Sequence, residues 1–170
     1  MKENEGEHPF GDAGQFISFG IFLVVWVGDS FFLGGSTFLS DYVPLYIRLI
    51  ILGLALITAI YLFRSGHVVV NDEEPPHSVV TTGAFRFVRH PLYLGSMLTY
   101  LGLIVSTGSL FSLAVFVGIF AFHNYIASYE EKRLEAKFGE EYRNYKQRTG
   151  KWVPRIGMRK ASHAPFGQRR

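Results

Sequence analysis

Four long apolar runs constrain this chain more than any other feature of its sequence. They cover residues 16–33, 45–63, 92–105 and 110–127, and most charged residues lie between or after them. A helix needs about 20 largely apolar residues to cross roughly 30 Å of hydrocarbon. The third run reaches that length only with Pro91 and residues 106–107 included. The remaining sequence is too short to cover four such helices in water. The pattern therefore predicts an all-α integral membrane protein with four transmembrane helices.

The placement of lysine and arginine predicts how these helices are oriented. Most of the 17 lysines and arginines follow residue 129, and others lie in the long loop of residues 64–90. The two short connections, residues 34–44 and 106–109, have none. Because lysine and arginine concentrate on the cytoplasmic side of a membrane, we expect a multi-pass topology with both termini, the long loop and the tail in the cytoplasm.

These patterns divide the chain into the parts of a single domain, residues 1–170. We expect, in chain order, a flexible N-terminus (1–15), a first helical hairpin (16–63), a cytoplasmic loop (64–90), a second hairpin (91–128), a cytoplasmic helical tail (129–155) and a disordered C-terminal segment (156–170). The N-terminus is acidic and lacks the basic region of a signal peptide. The chain has no cysteine, which excludes thiolate metal sites and a cysteine nucleophile.

Two charges interrupt the first two apolar runs. Asp29 lies four residues before the end of the first run, and Arg48 lies three residues into the second. Burying a charge near a helix centre costs roughly 2.5–3.5 kcal/mol on insertion scales. In a helical hairpin the two residues would lie at similar depth near one surface. We therefore expect a structural ion pair, or two side chains that reach the interface separately.

The first polar cluster precedes the third run. Pro91 suits the first position of a helix, where a missing N–H costs nothing, so Arg89 and His90 stand at a helix N-terminus. Free N–H groups and the helix dipole favour an anion there. Gly95, one turn further on, leaves room for a ligand or for a neighbouring helix.

The second polar cluster comes after the fourth run. Glu130 and Glu131 lie where this helix leaves the bilayer, and the tight turn at residues 106–109 brings them back towards Arg89 and His90. An anion site then faces a carboxylate site, which suits a zwitterionic ligand with a carboxylate and an ammonium group. The aromatic rings available to contact a flat group there belong to Tyr93, Tyr142 and Tyr145.

Over residues 79–154, the chain resembles the isoprenylcysteine carboxyl methyltransferase and phospholipid N-methyltransferase superfamily of membrane enzymes. The matching motifs surround the second hairpin and cover somewhat under half of the chain. They are Thr82-Gly83, Arg89-His90-Pro91-x-Tyr93-x-Gly95, Glu130-Glu131-x-x-Leu134, Phe138-Gly139-x-Glu141-Tyr142-x-x-Tyr145 and Val153-Pro154.

The resemblance implies S-adenosylmethionine as cofactor and a lipid-like or prenylated acceptor that enters from the bilayer. The residues implied in cofactor binding are Arg89, His90, Tyr93, Gly95, Glu130, Glu131, Tyr142 and Tyr145. Methyl transfer from a sulfonium is an in-line displacement, so the enzyme must align the acceptor and exclude water. Glu130, Glu131 and His123 are the catalytic candidates, because an amine acceptor must also lose a proton.

One departure from the family pattern bears on the acceptor. In the prenylcysteine carboxyl methyltransferases we expect an arginine about one turn before the acidic pair, where it orients the acceptor carboxylate. This chain has no arginine over residues 123–128, although His123 could take its place.

Three alternatives to carboxyl methylation remain open. The first is a phospholipid amine N-methyltransferase. The second is an NADPH-dependent reductase of the sterol type, although such chains favour asparagine where Leu92 stands here. The third is a non-enzymatic membrane protein that binds anionic lipid through its basic tail. We expect membrane lipids as partners, and neither a metal ion nor nucleic acid.

Overall fold

The fold is all-α in the part of the chain that the structure describes. A computed structural model describes residues 11–70 and 78–155. Its helices are α1 (Gly11–Val27), α2 (Leu45–Val70), α3 (Pro91–Thr107), α4 (Leu110–Phe138) and α5 (Glu140–Arg148). A π-helical segment, Gly28–Leu33, extends α1, and short 3-10 helices occur at Phe38–Asp41 and Gly83–Arg86. The described residues form no strand, only one isolated bridge between Val88 and Gly150.

Helix boundaries differ from the expected ones at two places. The expected flexible N-terminus is helical from residue 11, and α2 extends to residue 70, well into the expected loop. Residues 1–10, 71–77 and the expected disordered segment at 156–170 lie outside the described residues.

Three helical segments are long and apolar enough to cross a membrane. They are Ala13–Leu33, Leu45–Gly66 and Leu110–Phe138, with mean hydropathies of 2.0, 2.3 and 1.8. Only 11% of the apolar window is buried within the protein in each of the first two segments, so their side chains point outward. Helices of a water-soluble core would bury these faces. The remaining apolar helix, α3, has 17 residues and is about 25 Å long, somewhat short for a span.

Packing between the helices does not follow their order in the chain. Helix α2 packs along α3, whereas α1 packs mainly against α4. Small residues allow α2 and α3 to approach closely. A Cβ atom added at Gly95 would lie 3.2 Å from the ring of Phe63, and one at Gly102 would lie 3.0 Å from Ala55. The first two helices therefore pack mainly against the second pair of helices and not against each other.

A tight turn joins α3 to α4, as the sequence predicted. Gly108 ends α3 with φ 72°, in the left-handed region that glycine tolerates best. Ser109 caps α4, since its hydroxyl accepts a hydrogen bond from Ser112 N at 3.1 Å. This turn makes α3 and α4 antiparallel, so the start of α3 lies near the far end of α4.

A buried carboxylate connects this turn to the end of the first helix. Asp29 is 1% exposed and accepts hydrogen bonds from Ser36 Oγ (2.5 Å), Ser36 N (3.1 Å) and Ser109 Oγ (2.6 Å). Ser112 Oγ lies 2.8 Å from Ser109 Oγ. We call Asp29, Ser36, Ser109 and Ser112 the turn-side cluster.

The ion pair expected between Asp29 and Arg48 is not formed. The guanidinium of Arg48 instead donates to two backbone carbonyls, Val43 O at 3.0 Å and Ser106 O at 2.7 Å. Both charges lie at the same end of the bundle, as the spacing predicted. Each charge has its own neutral partners, which are serine hydroxyls and a backbone N–H for Asp29 and backbone carbonyls for Arg48.

Beyond α4 the chain folds back towards the start of α3. Gly139 reverses the direction with φ 55°, and α5 begins at the next residue. The segment after α5 pairs with the residues before α3, where Arg89 N donates to Gly150 O at 2.9 Å. Tyr145 Oη donates to Phe85 O at 2.6 Å. The loop before α3 and the tail after α4 therefore meet at one end of the bundle.

Candidate functional site

The charged residues singled out from the sequence meet where α3 begins. His90 is the N-cap of α3 and Pro91 occupies its first position. Glu130 and Glu131 lie in the part of α4 that continues past its apolar run. Side chains from both helices and from the preceding loop form one cluster. Its members, here called the tail-side cluster, are Arg89, His90, Tyr93, Glu130 and Glu131.

Glu131 is the most highly coordinated member of this cluster. Its Oε1 atom accepts from Arg89 Nε at 2.9 Å and lies 3.2 Å from His90 Nε2. Lys146 Nζ of α5 lies 3.6 Å from Oε2. The carboxylate is almost completely buried, with its side chain 8% exposed. Three basic groups around one buried carboxylate make Glu131 the link between α3, α4 and α5.

Arg89 extends this link into the tail. Besides Glu131, its guanidinium donates to the backbone carbonyls of Lys146, at 3.1 Å, and Thr149. A guanidinium has five N–H donors, and these protein partners already engage several of them. Arg89 therefore holds the tail in place and has fewer donors left for a cofactor carboxylate than its sequence position suggested.

Glu130 has a different environment from its neighbour. Tyr93 Oη donates to Glu130 Oε1 at 2.6 Å, and His90 Nδ1 lies 3.6 Å from Oε2. The imidazole of His90 lies between the two carboxylates, 5.8 Å from the ring centre of Tyr93 and 5.7 Å from that of Trp152. Burial lowers the pKa of His90, against the opposing effect of its hydrogen bond to Glu131. A neutral imidazole therefore bridges the acidic pair at neutral pH.

His123 lies next to this cluster, deeper in the bundle. It is fully buried, and its ring centre is 5.2 Å from that of Tyr93. Neither ring nitrogen has a hydrogen-bond partner among the residues that the structure describes. An unsatisfied buried polar group costs about 1–3 kcal/mol, and most buried groups in proteins avoid that cost. Such an orphan is the kind of group that a bound molecule could satisfy.

The other aromatic and glycine candidates lie at the edge of the cluster. Tyr142 and Tyr145 lie on the buried face of α5, with ring centres 5.9 Å apart. Burial raises the pKa of Tyr145 to about 12 and also raises the pKa of Tyr142, so both side chains stay neutral phenols. Gly95 faces Phe63 and Ala59 of α2. Of the two occupants that the sequence allowed beside this glycine, a ligand or a neighbouring helix, the structure has the helix.

Two residues of the tail contact the site and were not identified from the sequence. Lys151 Nζ donates to Asn124 O (3.1 Å), Asn124 Oδ1 (2.9 Å) and Ser128 Oγ (2.8 Å). Trp152 packs against Tyr93 and against Ile126 and Ala127 of α4. The sequence did contain one signal for this contact: Trp152 is the single tryptophan of a polar tail, and a large apolar side chain favours burial of its segment.

Lys151, in the segment after α5, contacts the turn of α4 where the family pattern led us to expect an arginine. Its ammonium group has three neutral oxygen partners, and no carboxylate of residues 11–70 or 78–155 lies within salt-bridge distance of it. The tail thus supplies a cation to a position where the helix itself has none. Within the same described ranges, no group of three or more acidic or histidine side chains is arranged to hold a metal ion.

Comparison with known proteins identifies the family. Residues 45–141 match the family model described as phospholipid methyltransferase. The chain is 34% identical over 90 residues to methanethiol S-methyltransferase 1 of Bradyrhizobium diazoefficiens, covering 53% of this chain and 30% of the relative. It is 30% identical over 91 residues to protein-S-isoprenylcysteine O-methyltransferase of Schizosaccharomyces pombe, covering 53% and 39%.

A further relative matches over a longer stretch. Cobalt-zinc-cadmium resistance protein CzcN of Cupriavidus metallidurans is 31% identical over 137 residues, covering 80% of this chain and 62% of the relative. The chain spans about a third of the length of the two methyltransferases. No solved structure matches it significantly. The apolar helices and these relatives together identify an integral membrane protein.

Proposed function

The chain belongs to the phospholipid methyltransferase family, and on that premise we propose that it is an S-adenosylmethionine-dependent membrane methyltransferase with a lipid-like or prenylated acceptor. The observation that carries the proposal is the tail-side cluster. It combines a helix N-terminus with an acidic pair, Glu131 buried and Glu130 partly buried, at the boundary of the apolar helices. This combination suits the amino-acid end of the cofactor, which has one carboxylate and one ammonium group.

The residues present fit such a cofactor. Glu130 suits the ammonium group, because a carboxylate forms strong charge-assisted hydrogen bonds and this one lies beside the phenol of Tyr93 and the imidazole of His90. The N-terminal end of α3, where the helix dipole is positive, suits the carboxylate. Glu131 and Arg89 hold the surrounding segments together. When bound, the cofactor supplies an activated methyl group, and the protein supplies alignment and a dry site.

We assign the acceptor side of the site to His123 and Lys151. The buried imidazole of His123 suits the polar end of an acceptor and can take up a proton from one that carries it at the methylated atom. The ammonium of Lys151 suits an acceptor with a carboxylate, because it contacts α4 within two turns of the acidic pair and has no carboxylate partner within the described residues. Lys151 is the observation that favours carboxyl methylation over methylation of a lipid amine.

For the membrane arrangement, we propose four spans with the tail-side cluster in the cytoplasm. Support comes from the absence of lysine and arginine in residues 34–44 and 106–109 and from the antiparallel turn between α3 and α4. Because the chain has no cysteine, single thiols can report the topology. Tyr42→Cys should react with a membrane-impermeant maleimide from outside, and Gln147→Cys only after the membrane is opened. Labelling of both from the same side would refute this arrangement.

Calorimetric titration with S-adenosylhomocysteine tests cofactor binding. Replacing a charge-assisted contact should weaken binding by roughly ten- to a hundredfold, so we expect that loss in Glu130→Gln. Glu140→Gln, an exposed residue at the start of α5, is the matched control and should bind like the wild type. If the wild-type protein does not bind S-adenosylhomocysteine, or if both variants bind equally well, the proposed function is wrong.

Methyl transfer to two acceptors distinguishes the alternatives. With a farnesylated cysteine derivative, Lys151→Gln should raise KM by about tenfold while the affinity for S-adenosylhomocysteine stays unchanged. Lys151→Arg should restore KM. Activity towards phosphatidylethanolamine and none towards the farnesylated compound would instead assign the chain to lipid amine methylation.

A further inference from the structure

A cleft next to the tail-side cluster contains two arginines that have no acidic partner within the described residues. The cleft has a volume of about 500 Å³ and lies between the loop before α3 and one face of α5. Arg86 lines it from the loop, and Arg148 lines it from α5. Among residues 11–70 and 78–155, no carboxylate lies within salt-bridge distance of either guanidinium. Within the described residues, the cleft is therefore a concave surface with two guanidiniums and one carboxylate, that of Glu141, which leaves an excess of positive charge.

Hydrogen bonds hold both walls of this cleft in place. Glu141 Oε1 accepts from Val79 N at 3.0 Å, and Tyr145 donates to the carbonyl of Phe85. Both bonds connect α5 directly to the loop. The loop is also attached to α2, because Ala84 N donates to Ser65 Oγ at 2.7 Å. A ligand would thus meet a preformed site and would not have to order two loose segments.

The polar groups of the cleft suit a phosphate group. Glu141, Asn144, Tyr145 and Arg148 have the spacing of one helical face, and all four line the cleft. The side-chain amide of Asn144 and the hydroxyl of Thr81 add neutral donors to the two guanidiniums. Two planar guanidiniums and two neutral donors offer more hydrogen bonds than one carboxylate can accept, whereas a phosphate has three or four oxygens to accept them.

We propose that this cleft binds a phosphate group through Arg86 and Arg148. The site contains none of Glu130, His123 and Lys151, to which the cofactor and acceptor contacts are assigned above, and it does not depend on methyl transfer; of the cofactor candidates named from the sequence, Tyr145 lines it. Both walls belong to segments that leave the apolar helices at the same end of the bundle. A phosphate could come from there either as the headgroup of an anionic lipid or as a soluble ion, and both sources share the same chemistry.

Binding of phosphate compounds to the full-length protein in dodecyl maltoside tests this proposal. Native mass spectrometry would count bound phosphatidic acid against diacylglycerol, which lacks the phosphate, and phosphorus NMR would monitor inorganic phosphate. We expect phosphate-dependent binding by the wild type and a loss of roughly tenfold or more in Arg148→Gln and in Arg86→Gln. The control Arg143→Gln makes the same charge change in α5 at a residue paired with Glu135 and Glu140, and should keep wild-type binding.

Each outcome decides the proposal. Retention of phosphatidic acid that depends on the two arginines identifies a lipid headgroup site. The same dependence with inorganic phosphate alone identifies a soluble ligand. Equal binding of diacylglycerol, an equal loss in Arg143→Gln, or no binding of either phosphate compound would overturn it. Since Arg86 and Arg148 are both exposed and lie in different segments, the two variants also check each other for folding.

Discussion

The two polar clusters lie at opposite ends of α4 and hold their carboxylates in different ways. In the turn-side cluster, one carboxylate receives short hydrogen bonds from the hydroxyls of Ser36 and Ser109 and from one backbone N–H. In the tail-side cluster, two carboxylates lie among an arginine, a lysine, a histidine and a tyrosine. The first cluster contains one formal charge, and the second contains several of both signs.

This difference separates a structural contact from a binding site. Neutral donors satisfy Asp29 within its own cluster, so a ligand would gain little there. At the tail side, several charges share partners, and the imidazole nitrogens of His123 have none among the described residues. Such incomplete pairing lowers stability, and it is expected where a ligand completes the network. We therefore expect substitutions in the turn-side cluster to change stability alone, and substitutions in the tail-side cluster to change both stability and ligand binding.

The largest effect is expected from Glu131→Gln. Loss of this carboxylate leaves Arg89 buried without its counter-charge, so the free energy of unfolding should fall by about 3 kcal/mol. The tail should also separate from α3, because the guanidinium connects the two. Urea unfolding in detergent measures the first effect, and hydrogen exchange at residues 149–152 measures the second. Wild-type protection of this segment would show that Arg89 does not hold the tail.

A smaller effect of a different kind is expected from Asp29→Ala. Two buried serine hydroxyls lose their acceptor, which should lower the free energy of unfolding by about 2 kcal/mol. The affinity for S-adenosylhomocysteine should stay at the wild-type value, because the turn-side cluster is at the far end of α4. Unfolding and calorimetric titration of the same preparation check both statements. A loss of affinity comparable to that of Glu130→Gln would contradict the separation of the two ends.

The pH dependence of stability should come from the tail side through His90. Burial places the pKa of His90 in the folded protein below its usual value near 6.5. The unfolded chain therefore binds the proton first, and stability is fully present above pH 6.5 and lost as the pH falls below it. The slope reaches at most about 1.4 kcal/mol per pH unit. His90→Gln, which cannot titrate, should flatten this part of the pH profile measured between pH 7.5 and 5.

The smallest effect concerns coupling within the turn side. Asp29 and Arg48 have separate partners, so the double variant Asp29→Asn, Arg48→Gln should equal the sum of the single variants within about 0.5 kcal/mol. A double-mutant cycle on the free energy of unfolding measures this coupling. A coupling energy of about 1 kcal/mol or more, the order of magnitude expected for an ion pair, would show that the two side chains do pair.

Features that depend on distance along the chain were the most predictable from the sequence. The apolar runs predict the helices, and the glycine and serines of residues 106–109 predict the tight turn. Because that turn makes α3 and α4 antiparallel, the meeting of His90 with Glu130 and Glu131 could also be predicted. The structure confirms the all-α fold, and the family model confirms the resemblance.

Lateral packing in the membrane was less predictable. Leucine-rich faces pack against lipid and protein about equally well, so the runs do not specify that α1 lies on α4. The prediction of an ion pair between Asp29 and Arg48 was wrong because it also depended on lateral packing. Neutral groups of the loops and of the α3–α4 turn bind these two charges instead. The contacts of Lys151 depend on the path of the chain after Gly139, and no periodic pattern encodes that path.

The bridge between Val88 and Gly150 has a consequence for biosynthesis. About 60 residues separate these two positions, including the whole of α3 and α4. During translation, all the apolar helices leave the ribosome before Gly150 does, so membrane insertion can be finished while Arg89 still lacks its carbonyl partners in the tail. The contacts of Arg89 with the tail carbonyls are thus made only after the apolar helices have left the ribosome, and a ribosome stalled in α5 would display an inserted protein without them.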